Sequence, residues 1–213
     1  MKIVAISDTH NKFDVTKIPI GDVLIHAGDA TVNGTAEELS YFFSLFCSLP
    51  HKYKIFVPGN HDSLIERDPE NARDLFNMHR KENDFLLINR SIVLEGVRFF
   101  GFPYIPYIRG YWSFERKNDG LSYLTENIPR DINVLISHSP ARGIVDEFKP
   151  GINYGNTSMR EAFFSDRPSL KHMVCGHIHE AYGKENKYGV DFYNAAYLSG
   201  ISGQHNTPWE FEV

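Results

Sequence analysis

Cysteine is scarce. Cys47 and Cys175 are the only two in 213 residues, too few and too far apart for a disulfide framework or a cysteine-rich zinc site. A reducing compartment, the cytoplasm, is the expectation. Long apolar runs are missing as well. The opening Met1-Lys2-Ile3-Val4-Ala5-Ile6-Ser7-Asp8 holds an apolar run of four residues, short of a secretory leader, and no stretch of about 18 apolar residues suits a bilayer span, so no membrane partner is expected. Nor is there an excess of positive charge. With 22 Lys+Arg against 27 Asp+Glu the net charge is −5, which argues against coating long nucleic acid by phosphate neutralisation but not against a small phosphorylated ligand. Repeats, low-complexity tracts and linkers are absent, and a chain that is 42% hydrophobic at this length suits one domain over residues 1–213; no feature speaks to its oligomeric state. Histidine, by contrast, is abundant, with ten copies.

Short apolar segments rich in Ile and Val recur at residues 2–7, 22–27, 54–57, 132–137 and 172–175, each closing on a turn-forming or polar residue, and they read as strands buried on both faces. Helical segments lie between them. Thr35 and Glu38 form a capping box, and Leu39, Phe42, Phe43 and Phe46 continue an apolar stripe that ends before Pro50. Residues 71–80 and 118–127 are weaker helix candidates. In 91–101, Glu95-Gly96 between β-rich runs predicts an antiparallel hairpin, and 187–193 and 209–213 read as strands. Alternating strand and helix together with a hairpin predicts an α/β fold with a mixed sheet or two stacked sheets.

Five of the ten histidines, His10, His61, His138, His177 and His179, fall at or just after the ends of these strands, among Asp8, Asp29, Asn60 and turn-forming glycines. Ligands collect at the carboxyl ends of strands in an open α/β sheet, so these groups converge there. In extended chain, residues two apart point the same way, which lets Asp8 with His10, and His177 with His179, each present two donors to one cavity. Imidazoles, carboxylates and an amide oxygen without thiolates suit borderline-hard divalent ions such as Mn, Fe, Zn, Co or Ni. Seven candidate ligands, Asp8, His10, Asp29, Asn60, His138, His177 and His179, are too many for one tetrahedral ion and suffice for two if one carboxylate bridges.

The order Asp-x-His, Gly-Asp, Gly-Asn-His-Asp, a lone His after a strand, then Gly-His-x-His resembles the calcineurin-like metallophosphoesterase superfamily, with blocks running from Asp8 to His179. The segments 22–29, 57–61, 104–114 and 176–183, with Asn194-Ala195-Ala196, are more specifically similar to its metallophosphoesterase-domain-containing group. The resemblance implies a four-layer α/β/β/α sandwich. It also implies that Asp8, His10, Asp29 and His179 hold one metal, that Asp29, Asn60, His138 and His177 hold the other, and that His61 sits beside the scissile phosphate and protonates the leaving oxygen. Some members of the group carry Gly at the first histidine of Gly-His-x-His; His177 is present here, and the full set favours an active enzyme.

A water between two cations has a depressed pKa and can attack phosphorus near neutral pH. The segment Gly28-Asp29-Ala30-Thr31-Val32-Asn33-Gly34 lacks the arginine of the superfamily's protein phosphatases, and the resemblance implies a small phosphodiester, such as a cyclic nucleotide, as substrate. The alternatives are a phosphomonoesterase or protein phosphatase of the same superfamily, and a non-catalytic metal- or nucleotide-binding scaffold. Tyr104, Tyr107, Arg109, Tyr111, Trp112, Phe114 and Arg116 interleave aromatics with cations, either to stack a base or, as the more common use of such residues, to pack as a loop over the sheet edge. Arg142 is either a phosphate contact or a solvated loop charge. His26, in mid-strand, reads as a buried support; Asp62 and Glu180 read as caps or ion pairs; His51, His79, His172 and His205 read as surface or structural.

Overall fold

The computed structural model describes residues 1–199 and 204–213. The amino-terminal half runs β1 (Lys2–Ile6), β2 (Val23–His26), α1 (Ala36–Ser48), β3 (Tyr53–Phe56), α2 (Leu64–Arg67), α3 (Pro69–His79), β4 (Asp84–Leu86), β5 (Arg90–Leu94) and β6 (Val97–Phe102). It continues through β7 (Ile105–Pro106), β8 (Glu115–Arg116), α4 (Asn118–Glu126), β9 (Val134–Ser137), β10 (Glu147–Lys149), β11 (Ile152–Asn153), α5 (Glu161–Ser165), β12 (His172–Cys175), β13 (Gly183–Lys187), β14 (Val190–Asn194) and β15 (Trp209–Glu212).

Two mixed sheets dominate. One has the order β15-β1-β2-β3-β4, parallel except for β15; the other has the order β13-β14-β12-β9-β6-β5, parallel at its centre with an antiparallel hairpin at each edge. The alternation of side chains along each strand builds three apolar layers. Ile3 and Ala5 face inward with Ile25, Ile55, Phe99, Val134 and Val174, between the sheets. Val4 and Ile6 face outward onto Phe42, Phe43 and Phe46 of α1 and Phe76 of α3. On the far side, Leu135, Met173 and Phe192 pack against Leu121 of α4 and Phe163 and Phe164 of α5. The result is an α/β/β/α sandwich of four layers.

The capping box opens α1 as expected, Glu38 N–H donating 3.2 Å to Thr35 Oγ1 while Glu38 Oε2 accepts from Thr35 N–H. Glu95 and Gly96 both take positive φ, +50° and +85°, which suits the right-handed twist of the β5–β6 hairpin. One reading is corrected. Residues 187–193 are not a single strand but the turn and second arm of the β13–β14 hairpin, folded at Tyr188 and Gly189 with φ of +54° and +74°. The first arm, Gly-Lys-Glu-Asn-Lys, is an edge strand whose polar side chains carry no apolar alternation.

Candidate metal centre

The chain leaves β1, β2, β3, β9 and β12 at the same end of the two sheets, and the loops that follow bring the strand-end residues together. The turns are sharp. Asp8, His10, Asp29 and His177 take φ of +54°, +40°, +55° and +67°, a region that side chains other than glycine seldom enter and that concentrates where a binding geometry overrides backbone preference. Two glycines allow the approach. A Cβ at Gly176 would collide with Asp8 Oδ2 and Ser7 Oγ, and one at Gly59 with Asp29 Oδ1.

Asp8, His10 and His179 form one group of donors, and Asp29, His138 and His177 a second, the donor atoms in each lying within 4.8 Å of one another. Asp8 Oδ1 is 3.2 Å from His179 Nε2. Asp29 Oδ2 stands between the groups, 3.9 Å from His10 Nε2 and 3.3 Å from His138 Nε2. Asn60 Oδ1 is 3.1 Å from His138 Nε2. His61 borders the cluster: its main-chain N–H donates 2.8 Å to Asp29 Oδ1, and its ring meets that of His10 edge-on at 4.8 Å.

Ring tautomers test whether these donors fit cations. His138 Nδ1–H donates 2.8 Å to the Ala27 carbonyl, and His10 Nδ1–H donates 3.0 Å to the Thr31 carbonyl. Carbonyls only accept, so Nδ1 carries a proton in each ring and Nε2 is the atom turned inward. There His138 Nε2 meets Asp29 and Asn60 oxygens, and His10 Nε2 lies 3.3 Å from His179 Nε2. Such donors facing one another in a buried space need a proton or a metal cation among them, and nitrogen and oxygen donors without thiolate suit first-row divalent ions. The residues fit two such ions.

The electrostatics agree. Burial pushes the Asp8 and Asp29 carboxyls up, but the surrounding imidazoles outweigh it and hold both well below the ordinary carboxylate range. Burial lowers His177 to about 4 and also lowers His10. At His138 burial is overcome by the Asp29 carboxylate and the ring is pushed up to about 9; at His179 burial is overcome by Asp8, and the shift is upward. The carboxylates are ionised, as metal ligands must be, while His138 holds a proton that a metal would displace on binding.

Several supports are in place. His26 is fully buried; Gly28 N–H donates 3.3 Å to its Nδ1, so Nε2 donates to Thr9 Oγ1, 3.0 Å away, and burial lowers the ring to about 3. It braces the loop after β1 without entering the cluster. Asp62 accepts from Gly59 N–H, Thr31 N–H and Thr31 Oγ1–H at 2.8, 3.0 and 2.8 Å, tying the loops after β2 and β3 together, and is pushed up to about 6 by burial and by Asp29. Sequence reasoning missed the carbonyls of Ala27, Thr31 and Val32, which no side chain announces. It also assigned no role to Asn194, whose Nδ2 donates 2.9 Å to the Ile178 carbonyl and fixes the loop bearing His177 and His179. The Asn-Ala-Ala motif was the signal for it.

The expected substrate contacts divide. Trp112 packs on His61 with ring centroids 4.4 Å apart. Tyr104 and Phe114 pack inward, Arg116 pairs with Glu66 at 2.8 Å, and Tyr107 and Tyr111 stay exposed, so the aromatic segment is part packed loop and part open rim. Arg109 is exposed and makes no hydrogen bond or ion pair with the cluster through its side chain; its main-chain N–H donates 3.0 Å to Glu115. Arg142 is exposed and donates 2.8 Å to the Asn153 carbonyl. His51 Nε2–H donates to the Pro19 carbonyl, His79 bonds Ser40, and His172 and His205 stack on Phe211 and Tyr197, all structural roles.

The family model for calcineurin-like phosphoesterases matches residues 1–181. The UPF0046 protein K07C11.7 of Caenorhabditis elegans is 34% identical over 207 residues, covering 92% of this chain and 69% of that protein. Metallophosphoesterase domain-containing protein 1 of Homo sapiens is 32% identical over 209 residues, covering 85% of this chain, which spans 61% of that protein's length. Among solved structures, TT1561 of Thermus thermophilus superposes with a TM-score of 0.61 at 13% identity, over 92% of this chain and 88% of that one, a likeness of fold alone. With the family model covering most of its length, the chain belongs to the calcineurin-like phosphoesterase family.

Proposed function

We propose that the chain is a two-metal phosphodiesterase acting on small phosphodiesters, with cyclic nucleotide monophosphates the foremost class. The observation that carries this reading is the convergence of Asp8, His10, Asp29, Asn60, His138, His177 and His179 at the strand ends, with Nε2 of His10 and His138 turned inward and His61 beside them. Asp8, His10 and His179 would hold one ion, Asn60, His138 and His177 the other, with Asp29 between. Bound there, two divalent cations, manganese foremost, would lower the pKa of water toward neutrality and neutralise phosphoryl charge.

The chain's own groups do the rest. His61 Nδ1–H donates 2.7 Å to the Val32 carbonyl, which fixes the ring and leaves Nε2 to carry a proton to the departing alkoxide. Trp112 packs beside the ring at a tilt of 40°, where it can steady the imidazole. The loop after β2 holds no arginine beside Asp29, which supports a diester, of single negative charge, over a dianionic monoester. Both cysteines are buried and unpaired, in keeping with a cytoplasmic setting.

Protein loaded with Mn²⁺ should cleave bis-p-nitrophenyl phosphate faster than p-nitrophenyl phosphate. His61→Ala should lower kcat by about 10²–10⁴-fold while metal content stays near that of the parent. Full metal loading with no turnover across a panel of diesters would overturn the enzyme reading, and faster cleavage of the monoester would replace diesterase by monoesterase.

A further inference from the structure

The geometry points to a second binding site, at the β4 edge of the first sheet, for an extended acidic segment of a partner protein. A groove of about 500 Å³ runs between α3, β4 and β5 and shares no residue with the metal centre. Its floor is apolar, made by Phe76, Phe85, Leu86, Leu87, Ile88 and Ile92; its rim carries Arg73, Arg80 and Arg90, and no acidic side chain lines it. Arg73 within α3 and Arg80 at its carboxyl-terminal cap lie seven residues apart, two turns along one face, so both guanidinium groups border the same groove. None of the three is paired with a carboxylate among the described residues, whereas Arg98, Arg116 and Arg130 elsewhere on the surface each have one at 3.2, 2.8 and 3.1 Å.

The main chain identifies the form of the ligand. Lys54 N–H donates to the Asn83 carbonyl and Leu87 N–H to the Phe56 carbonyl, so in this parallel register the odd-numbered residues of the stretch face β3. The N–H and C=O of Leu86 therefore face away from β3, and β4 has no second neighbour among the described residues. An acyl chain could cover the apolar floor but would leave these groups unsatisfied. An extended peptide satisfies them by adding a strand, places alternate apolar side chains on the floor and turns alternate carboxylates toward the arginines. Edge strands are commonly shielded by charge, and here the charge is of one sign and unpaired, which selects an acidic partner and repels a basic one.

The probe is a short fluorescein-labelled peptide of alternating glutamate and valine, followed by anisotropy, with the lysine–valine peptide and palmitate as competitors. The glutamate peptide should bind saturably and the lysine peptide should not compete. The double variant Arg73→Glu/Arg90→Glu should weaken binding about tenfold or more. Methylating alternate peptide nitrogens, which deletes strand donors and leaves the protein intact, should weaken it too, and the amide of Leu86 should gain protection from hydrogen exchange. Unchanged affinity in the charge-reversed variant with an intact thermal transition would overturn the site. Displacement by palmitate together with indifference to N-methylation would assign the groove to an anionic lipid and overturn the peptide.

Discussion

His26 shows what burial does to a single imidazole. It sits among Phe13, Phe42, Phe46 and Phe56, 4.9 Å from Phe42 between ring centroids, and burial lowers it from its ordinary 6.5 to about 3. The unfolded chain therefore takes up a proton at this residue before the native protein does. Stability from this group is complete above the ordinary value and is lost as pH falls toward 3. One pH unit in this window is worth about 1.4 kcal/mol, so near pH 5 the loss is about 2 kcal/mol. His26→Gln, which has an amide to reach Thr9 and nothing to titrate, costs stability at neutral pH for the contacts it changes. The gap in Tm between parent and variant should then narrow as pH falls from about 7 to about 5. A gap independent of pH would mean that His26 protonates equally in both states. The mid-strand position of this histidine, flanked by Ile25 and Ala27, made its buried role legible in the sequence. The tautomers of His10 and His138 were not legible, because they are set by main-chain carbonyls of distant loops.

At the scale of elements, the legible parts were those whose pattern is complete within a few residues. The capping box and phenylalanine stripe defined α1, the apolar strands placed the five loops of the candidate centre, and Glu95-Gly96 defined the β5–β6 hairpin. The polar arm β13, the two-residue pairs β7 and β8, and the short helices α2 and α5 carry no such pattern; neighbours hold them in place. The strand-to-loop junctions depend instead on space. Gly176 ends β12 against Asp8, whose carboxylate accepts from His177 N–H at 3.0–3.1 Å, so a methyl group at 176 must push the first strand's aspartate away. Gly120 in α4 has open space at its Cβ position. Gly176→Ala should fold with an unchanged far-UV spectrum and bind Mn²⁺ about 10–100-fold more weakly by calorimetry, as disturbed ligand positioning does elsewhere. Gly120→Ala should leave metal binding alone and stabilise the helix by about 0.4–1 kcal/mol. Equal Mn²⁺ affinity in both variants would remove the claim that the Gly176 junction positions Asp8.

For the whole molecule, the three apolar layers secure the sandwich while its polar mouth gathers charge in a buried space. Asp8 and Asp29 are buried and ionised among imidazoles, and the chain carries −5. Two divalent cations would bring the formal total to about −1, which would make the cleft attractive to phosphate. The unfolded chain cannot assemble donors as far apart in sequence as Asp8 and His179, so a bound metal would select the native state and stabilise it. At free metal one hundred times Kd, each site contributes about 2.7 kcal/mol. With about 2–4 °C per kcal/mol for a chain of this size, chelation should lower Tm by about 5–10 °C for one site and roughly double that for two. His177→Ala, which removes a donor from one group only, should retain about half of the metal-dependent shift. A Tm indifferent to chelation, in protein shown by elemental analysis to exchange its metal, would mean that the mouth is preformed without cations and that the converging donors have another purpose.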